Sequence, residues 1–310
     1  MANYFDKERI CQERFDRALS DYGGIWHICT PGDFTYSFNL CENDFKFSVS
    51  NVAISAAEAG LVIISDQMMS NHLHVVAAFS DRMAAFDFID RFRYRQRRYL
   101  RLKGLHYNLE GLAIDDPIPI ESLLSVRNEI VYCNRNGFLV DPMSTPFSYP
   151  WGSGCLYFNS IAYLGHGIQA NDLPYRLKRL LSHRSSFVFP DRYAFGDGMI
   201  LPSSYADYAL GQSFFRDAHH YFSMISKDHE TFSREAVRYG DRLVVTDEEL
   251  FSVVVMLAEK SNRGIPPSLL PVGAKVNIAR ILRKDYHASS NQIRRLLKME
   301  KNDVDRILGL

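Results

Sequence analysis

Several features that mark other protein classes are absent from this 310-residue chain. It has no uninterrupted apolar run long enough to cross a bilayer and no signal-peptide layout at its N-terminus, so we expect a cytoplasmic protein without a membrane partner. Its five cysteines are odd in number and form no CxxC pair, which argues against a disulfide framework or a thiolate zinc site and predicts free thiols. Its formal net charge is zero, so overall charge gives no argument for nucleic acid.

Composition and length favour a globular protein with more than one domain. Hydrophobic residues make up 46% of the chain and aromatic residues 13%, which is enough for a sizeable core. The length predicts about two domains. We assign a first α+β domain to residues 1–165, a mostly helical extension of unknown role to 166–265, and a helical module to 266–310 after a proline-rich linker.

The apolar pattern of the first domain predicts alternating strands and helices. We predict strands at 25–30, 61–65 and 72–79, helices at 47–59, 82–103 and 119–136, and a loop at 66–70. This β-α-β-β-α order indicates the α+β fold class, with a small antiparallel sheet that carries helices on one face.

Residues 71–76, Asn-His-Leu-His-Val-Val, carry the first chemical signal. On an extended strand, residues two apart point to the same face, so His72 and His74 present two imidazoles side by side while Leu73 faces the core. Two adjacent imidazoles on a rigid strand form half of a metal site. The alternative interpretation is a pair of ordinary strand-edge histidines.

Residues 91–103 (RFRYRQRRYLRLK) form a dense basic run on the helix predicted at 82–103. Cations interleaved with aromatic rings suit a phosphate backbone and unstacked bases. Because so many like charges repel each other, an anionic partner explains the run better than a solvated helix face. The predicted DNA-binding residues are Arg91, Arg93, Arg95, Arg97, Arg98, Tyr99, Arg101, Lys103 and Arg135.

The C-terminal module contains three short helical patterns. They are Ala274–Lys284, Asn291–Leu297 and Asn302–Leu308. Two short helices joined by a tight turn and packed on a preceding helix match the helix-turn-helix pattern of DNA-binding proteins. A plain three-helix tail or a dimerisation element remains an alternative, because Asp303 and Asp305 on the third helix suit phosphates poorly.

A candidate nucleophile lies on the helix that ends near Gly137. Tyr132 and Asn136 are four residues apart and therefore share one helical face. A tyrosine hydroxyl attacks phosphorus well only when a metal ion polarises the phosphoryl oxygens. Together with His72 and His74, the Asn136 amide oxygen would complete an open three-ligand site, which suits Mg²⁺ or, given the histidines, Mn²⁺.

Four segments of the chain carry a resemblance to one protein family. They are Trp26-His27-Ile28, residues 69–76 (MSNHLHVV), Tyr132 with Asn136, and residues 146–152 (PFSYPWG). Over roughly residues 20–155, the chain resembles the single-tyrosine HUH transposases, in particular their REP-associated tyrosine transposase branch. The C-terminal module resembles the helix-turn-helix of replication initiators.

The resemblance implies a ferredoxin-like catalytic domain and a defined chemistry. His72, His74 and Asn136 would bind the divalent metal, and Tyr132 would cut single-stranded DNA beside a hairpin. The products would be a 5′-phosphotyrosine link and a free 3′-hydroxyl, and reversal with another 3′-hydroxyl would transfer the strand. Two protomers commonly cooperate in this family, so the resemblance also implies a homodimer, although monomeric members exist.

Three alternatives stay open at the level of sequence. An alignment without gaps puts Glu129 at the tyrosine position, and Gly137 stands where the family has proline; both favour an inactive, domesticated DNA-binding or regulatory protein. Tyr94 and Tyr99 compete with Tyr132 as nucleophiles. An unrelated metal-dependent hydrolase built on the two histidines would need a nearby carboxylate, such as Asp66 or Glu129.

Overall fold

The computed structural model divides the chain into two units. The described residues are 4–30, 37–139, 145–159, 167–183, 187–225, 250–258, 270–285 and 288–308, without 108, 111, 115, 146, 252, 256, 289 and 300. The first unit comprises residues 1–137 and 145–228, and the second comprises 138–144 and 229–310. The division differs from the expected boundary at 165, because residues 167–225 belong to the first unit.

The first unit contains two sheets and most of the helices. Its strands are β1 (Ile25–Cys29), β2 (Val62–Met68), β3 (Leu73–Ala78), β4 (Ile118–Pro119), β5 (Ile168–Gln169), β6 (Ala194–Gly196) and β7 (Met199–Ile200). Its helices are α1 (Tyr4–Tyr22), α2 (Glu42–Ala59), α3 (Met83–Leu102), α4 (Leu123–Leu139), α5 (Tyr175–Ser182), α6 (Pro202–Tyr205), α7 (Tyr208–Ser213) and α8 (Ala218–Ile225). The expected α+β class is confirmed.

The larger sheet has the strand order β2-β3-β1-β4, and every neighbouring pair is antiparallel. The register places Cys29 of β1 and Gln67 of β2 directly opposite His74 of β3. Residues directly opposite each other in an antiparallel pair point to the same face of the sheet. The side chains of these three residues therefore point to the same face of the larger sheet.

Helices cover both faces of this sheet, so the prediction of helices on one face is wrong. Leu73, Val75 and Ala77 pack in a core with α2 and α3. Val76 and Ala78 pack in a second core with α1, α4 and α8. The prediction failed because β3 is apolar at nearly every position and is buried along its whole length, as is typical of a strand with two covered faces.

Strand β2 continues through part of the predicted loop at 66–70. The Met68 backbone N–H donates to the Trp151 carbonyl over 2.8 Å, and the Ser153 N–H donates to the Asp66 carbonyl over 3.0 Å. The segment around Gly152 therefore lies along the outer edge of β2 like a further strand. Its partner is more than 80 residues away in sequence, so local patterning around residue 66 does not indicate the extension.

Residues 167–225 pack directly on the sheet domain. The Tyr193 hydroxyl donates to the Ala53 carbonyl over 3.0 Å, and the Asp207 N–H donates to the Ile63 carbonyl over 2.7 Å. On the opposite side, Asn134 donates to the Tyr221 hydroxyl over 3.0 Å. This part of the predicted extension therefore supports the layers that hold the sheet.

The second unit contains the three helices predicted at the C-terminus. They are α9 (Val272–Asp285), α10 (Ser290–Leu297) and α11 (Lys301–Leu308). Ile278, Leu282, Ile293, Leu297 and Val304 form its buried core, together with apolar residues between 250 and 270. The predicted helices and most of their apolar faces are confirmed.

Lys298 ends helix α10 in a conformation that favours glycine. Its φ is 50°, and the following Met299 N–H donates to the Arg294 carbonyl over 3.1 Å, which is the C-terminal hydrogen bond of a Schellman motif. Lys298→Gly is expected to raise the free energy of unfolding of the second unit by about 1 kcal/mol, because glycine adopts this φ without steric cost.

Urea unfolding followed by far-UV circular dichroism checks this expectation. Tryptophan fluorescence would report on the first unit, because both tryptophans, Trp26 and Trp151, lie there. Lys284→Gly, within the last turn of α9, is the matched control and should lower stability by about 1 kcal/mol. Equal effects of the two substitutions would contradict the cap interpretation.

No helix within the described ranges is both long and apolar enough to cross a membrane. The five cysteines are free thiols, as predicted, and Cys11 and Cys133 are buried. Free buried thiols behave as small apolar side chains, so these two belong to the packing of the first unit.

Candidate functional site

The two histidines singled out from the sequence lie together on the sheet. His74 is in β3 and is fully buried, and His72 immediately precedes the strand with 6% of its surface exposed. Their ring centroids are 5.0 Å apart and the rings meet edge to face. The predicted juxtaposition of the two imidazoles is therefore confirmed.

Tyr132 reaches the same place from helix α4. Its ring centroid is 5.3 Å from that of His74, and only 3% of the residue is exposed. Helix α4 is held there by apolar side chains that pack on the Val76 face of the sheet and by a 2.6 Å hydrogen bond from the Ser65 hydroxyl to the Asn134 amide oxygen. Packing of α4 thus determines which tyrosine meets the histidines.

The competing tyrosines lie elsewhere. Tyr94 and Tyr99 belong to helix α3, which packs on the other face of the sheet through Phe88 and Phe92. Of the three tyrosines considered from the sequence, Tyr132 is therefore the one on the histidine face.

His27 and Glu129 form a buried pair beside this cluster. The His27 ring is 5.8 Å from that of His74 and 5.9 Å from that of Tyr132, measured between centroids. Its Nδ1 lies 2.9 Å from Glu129 Oε2, and both side chains are almost completely buried. His27 is two residues before Cys29 on β1, and Cys29 lies opposite His74, so the strand register places His27 on the face of His74.

Local contacts influence the protonation of both metal-ligand candidates. His72 Nδ1 lies 2.8 Å from Asn71 Oδ1. In the tautomer that carries the proton on Nδ1, this nitrogen donates to the amide oxygen and the lone pair on Nε2 is left for a metal ion. Burial, aided by the neighbouring His27, lowers the pKa of His74 well below its ordinary value. Neutral imidazole is the form that binds a metal ion.

Asn136 follows Tyr132 by one helical turn and is half-buried. Its Nδ2 donates to the Tyr132 carbonyl over 3.0 Å. This bond fixes the orientation of the amide within the helix. The oxygen Oδ1, which is the atom predicted to bind the metal ion, takes no part in this hydrogen bond.

The carboxylates considered for a hydrolase do not complete a metal site. Asp66 lies opposite Val75, on the other face of the sheet, where it accepts from the Tyr205 hydroxyl over 2.7 Å and burial raises its pKa to about 6. Glu129 Oε2 is directed to His27, with 2.9 Å between it and His27 Nδ1. Within the described part of the chain, no three His, Cys, Asp or Glu side chains come together to hold a metal ion.

Amide oxygens are the further candidate ligands near the two imidazoles. Asn136 is one such donor. Gln67 is another on the face of His74; it is buried, and among the described residues its Oε1 has no hydrogen-bond partner. Two imidazoles with amide oxygens suit Mn²⁺ and, less closely, Mg²⁺, so the residues present fit the expected metal.

The basic run is largely neutralised within the protein. Four of its seven cations have carboxylate partners: Arg91 with Asp87 and Glu58, Arg93 with Asp90, Arg95 with Glu58, and Lys103 with Asp44. For these four residues, repulsion within the run is therefore no argument for an anionic partner. Two of the four carboxylates, Asp44 and Glu58, come from α2, more than 30 residues earlier, and the other two, Asp87 and Asp90, precede the run on α3. A count along the run therefore includes none of them.

The remaining predicted DNA-binding residues have different surroundings. The Tyr99 side chain makes its contacts within the protein. Its ring stacks on Phe47 with centroids 4.0 Å apart, and its hydroxyl donates to Asp44 over 2.8 Å. Arg97, Arg98 and Arg101 have no carboxylate partner among the described residues. Arg135, on α4, is half-buried.

Glu58 pairs with both Arg91 and Arg95. Its side chain is 10% exposed, and that of Arg95 is 5% exposed. Glu58→Gln is expected to lower the free energy of unfolding by about 3 kcal/mol, because the change leaves the Arg95 charge buried without its partner. Urea unfolding of the variant measures this loss. Asp90→Asn, which removes the partner of Arg93 at an exposed site, is the control and should cost less than about 1 kcal/mol.

The same pair predicts a pH dependence. Burial raises the pKa of Glu58, but hydrogen bonds from Arg95 and Arg91 outweigh this effect and hold its pKa below the ordinary 4.5. A carboxyl with a lowered pKa stabilises the fold fully above its ordinary pKa and loses that contribution as the pH falls through its folded-state pKa. Wild-type stability should therefore fall below about pH 4.5 more steeply than that of Glu58→Gln; parallel profiles would contradict this.

Comparison with family models, curated proteins and solved structures gives no match to this chain.

Proposed function

We propose that this protein cuts single-stranded DNA by attack of Tyr132 on a phosphodiester, assisted by a divalent cation bound at His72 and His74. The observation that carries the proposal is the 5.3 Å separation between the Tyr132 and His74 rings on one face of the sheet. A nucleophile beside a pair of metal-binding imidazoles has the components of metal-assisted phosphoryl transfer.

The topology supports the same proposal. Strands β1 to β4 and helices α2 and α3 follow the order β-α-β-β-α-β, with the strands arranged β2-β3-β1-β4. This order is that of a ferredoxin-like sheet, the fold implied by the resemblance to the single-tyrosine HUH transposases. Helices α9 to α11 would add a helix-turn-helix module for duplex or hairpin DNA.

In the proposed reaction, the Tyr132 oxygen forms a bond to phosphorus and the bond from phosphorus to the 3′-oxygen breaks. The tyrosyl proton is transferred to the departing 3′-oxygen, which leaves as the 3′-hydroxyl. When bound, the cation polarises the phosphoryl oxygens and stabilises the charge on the leaving oxygen. His72 and His74 would hold it with Asn136 or Gln67, and Asn71 orients His72 through the 2.8 Å bond to its Nδ1.

Burial of the site favours a second candidate function. Tyr132 is 3% exposed and His74 is fully buried, so a phosphate reaches them only after neighbouring side chains move. Glu129, which the gapless alignment places at the nucleophile position, lies with its Oε2 2.9 Å from His27 Nδ1. Both observations suit a catalytically inactive DNA-binding or regulatory protein that retains the fold.

A covalent-capture experiment separates the two functions. Hairpin-bearing single-stranded DNA with randomised flanks and a 3′ fluorophore is incubated with the protein and Mg²⁺ or Mn²⁺, because a 5′-phosphotyrosine link retains the 3′ part of the strand. The proposal predicts a labelled protein band on a denaturing gel that EDTA and the His72→Ala/His74→Ala variant both remove. DNA binding without any such band supports the inactive protein.

A further inference from the structure

We propose, on the basis of the DNA-binding function above, that Arg97 and Arg101 form a separate site for the backbone of single-stranded DNA on the sheet face opposite Tyr132. The site lies at the C-terminal end of α3 and in the loop that follows it. It would hold the substrate strand away from the cut and would contribute to affinity without contributing to the chemistry.

Charge pairing distinguishes these two arginines from their neighbours. Arg93 has Asp90 at 2.6 Å, and Arg91 has both Asp87 and Glu58 within 2.8 Å. Arg97 and Arg101 lack a carboxylate partner among the described residues. A guanidinium group that is not already neutralised keeps its full charge and hydrogen-bond donors for a phosphate.

The two arginines also line a common cavity. They are four residues apart on α3 and so lie on one face of the helix. The cavity holds about 430 Å³ and is lined by Arg97, Arg101, Leu105, His106, Tyr107 and Glu110. Two guanidinium groups against the single carboxylate of Glu110 leave an excess of positive charge, which suits one segment of a phosphate backbone.

The rest of the lining suits a nucleotide better than a simple anion. Tyr107 is half-buried and packs at the margin of the α2–α3 core, so its ring is held in place, and His106 beside it is exposed. Bases of single-stranded nucleic acid stack on such rings irrespective of sequence, while arginines follow the backbone. The cavity thus combines both elements of single-strand binding.

The location on the other face of the sheet gives the site its role. Helix α3 packs on Leu73 and Val75, whereas His74 and Tyr132 lie on the opposite face. A strand that contacts both must pass around the sheet domain. Loss of the arginines should therefore weaken binding of long single strands and leave adduct formation at saturating DNA unchanged.

The test compares two double variants of equal charge. Arg97→Gln/Arg101→Gln removes the proposed contacts, and Arg9→Gln/Arg82→Gln removes two exposed arginines that are paired with Glu13 and Asp116. Fluorescence anisotropy with labelled oligothymidine, over a series of salt concentrations, gives the affinity and its salt dependence. We expect the first variant to bind about tenfold more weakly near 0.1 M salt, with a slope of log K against log salt smaller by about 1.4.

The control variant should match the wild type in both quantities. Equal weakening of the two double variants overturns the site, and so does wild-type affinity in Arg97→Gln/Arg101→Gln. Equally tight binding of duplex DNA or RNA through the same two arginines overturns it as well. Failure of the covalent-capture experiment with this binding pattern intact would instead reject only the cutting function.

Discussion

Replacing Tyr132 by phenylalanine is expected to abolish the covalent DNA adduct and to leave single-strand affinity unchanged. The change removes the nucleophilic oxygen, and loss of a nucleophile commonly lowers the rate by at least about 10⁴-fold. The phenyl ring keeps the edge contacts with His74 and His27, at 5.3 Å and 5.9 Å between centroids. The loss of activity is therefore separable from a loss of structure.

The matched control is Tyr94→Phe. It removes one hydroxyl from a tyrosine that is 61% exposed on α3, on the face away from the histidines. Adduct yield on denaturing gels should be at the wild-type level in this variant and at background in Tyr132→Phe. An unchanged adduct in Tyr132→Phe would assign the nucleophile to another residue, and an adduct lost in both would indicate an indirect effect.

The largest structural effect is expected for Gly152→Ala. An added Cβ would lie 2.2 Å from the Asp66 carbonyl oxygen and 2.6 Å from Gln67 Oε1, and the φ of Gly152 is 153°. The first of these contacts is to backbone in β2, which cannot move without breaking the pairing with β3. We expect a loss of about 4 kcal/mol or more, the range reached when overpacking and backbone strain combine.

Gly60→Ala isolates the contribution of the backbone conformation. Gly60 also has a positive φ, 75°, but an added Cβ there meets no atom within 4 Å. It should cost only about 1 kcal/mol. Urea unfolding followed by tryptophan fluorescence measures both variants, since Trp151 is next to Gly152. Similar losses would show that strain at positive φ, and not the close approach of the β2 edge, determines the requirement for glycine.

The steric requirement at Gly152 also concerns the candidate site. Gln67 lies directly opposite His74, and the extended segment at Gly152 borders Gln67 on its other side. A displaced β2 edge would therefore disturb the strand beside the histidines. Loss of Mn²⁺ binding is expected to accompany the loss of stability in Gly152→Ala and not in Gly60→Ala.

Local pattern in the sequence determined much of the secondary structure and part of the candidate site. The spacing of His72 and His74 placed both imidazoles together, because neighbouring side chains on a strand alternate between faces over any short distance. The three C-terminal helices followed equally from short-range apolar spacing. Such features depend on residues within a few positions of each other.

Tertiary structure decided which chemical groups share a face and which charges remain available. The choice of Tyr132 over Tyr94 depends on the packing of α4 and α3 on opposite faces of the sheet. The neutralisation of Arg95 depends on Glu58, 37 residues earlier in the chain. Pairing across such separations is determined by how whole elements pack, so the sequence could indicate a basic run and a histidine pair but not their relative placement.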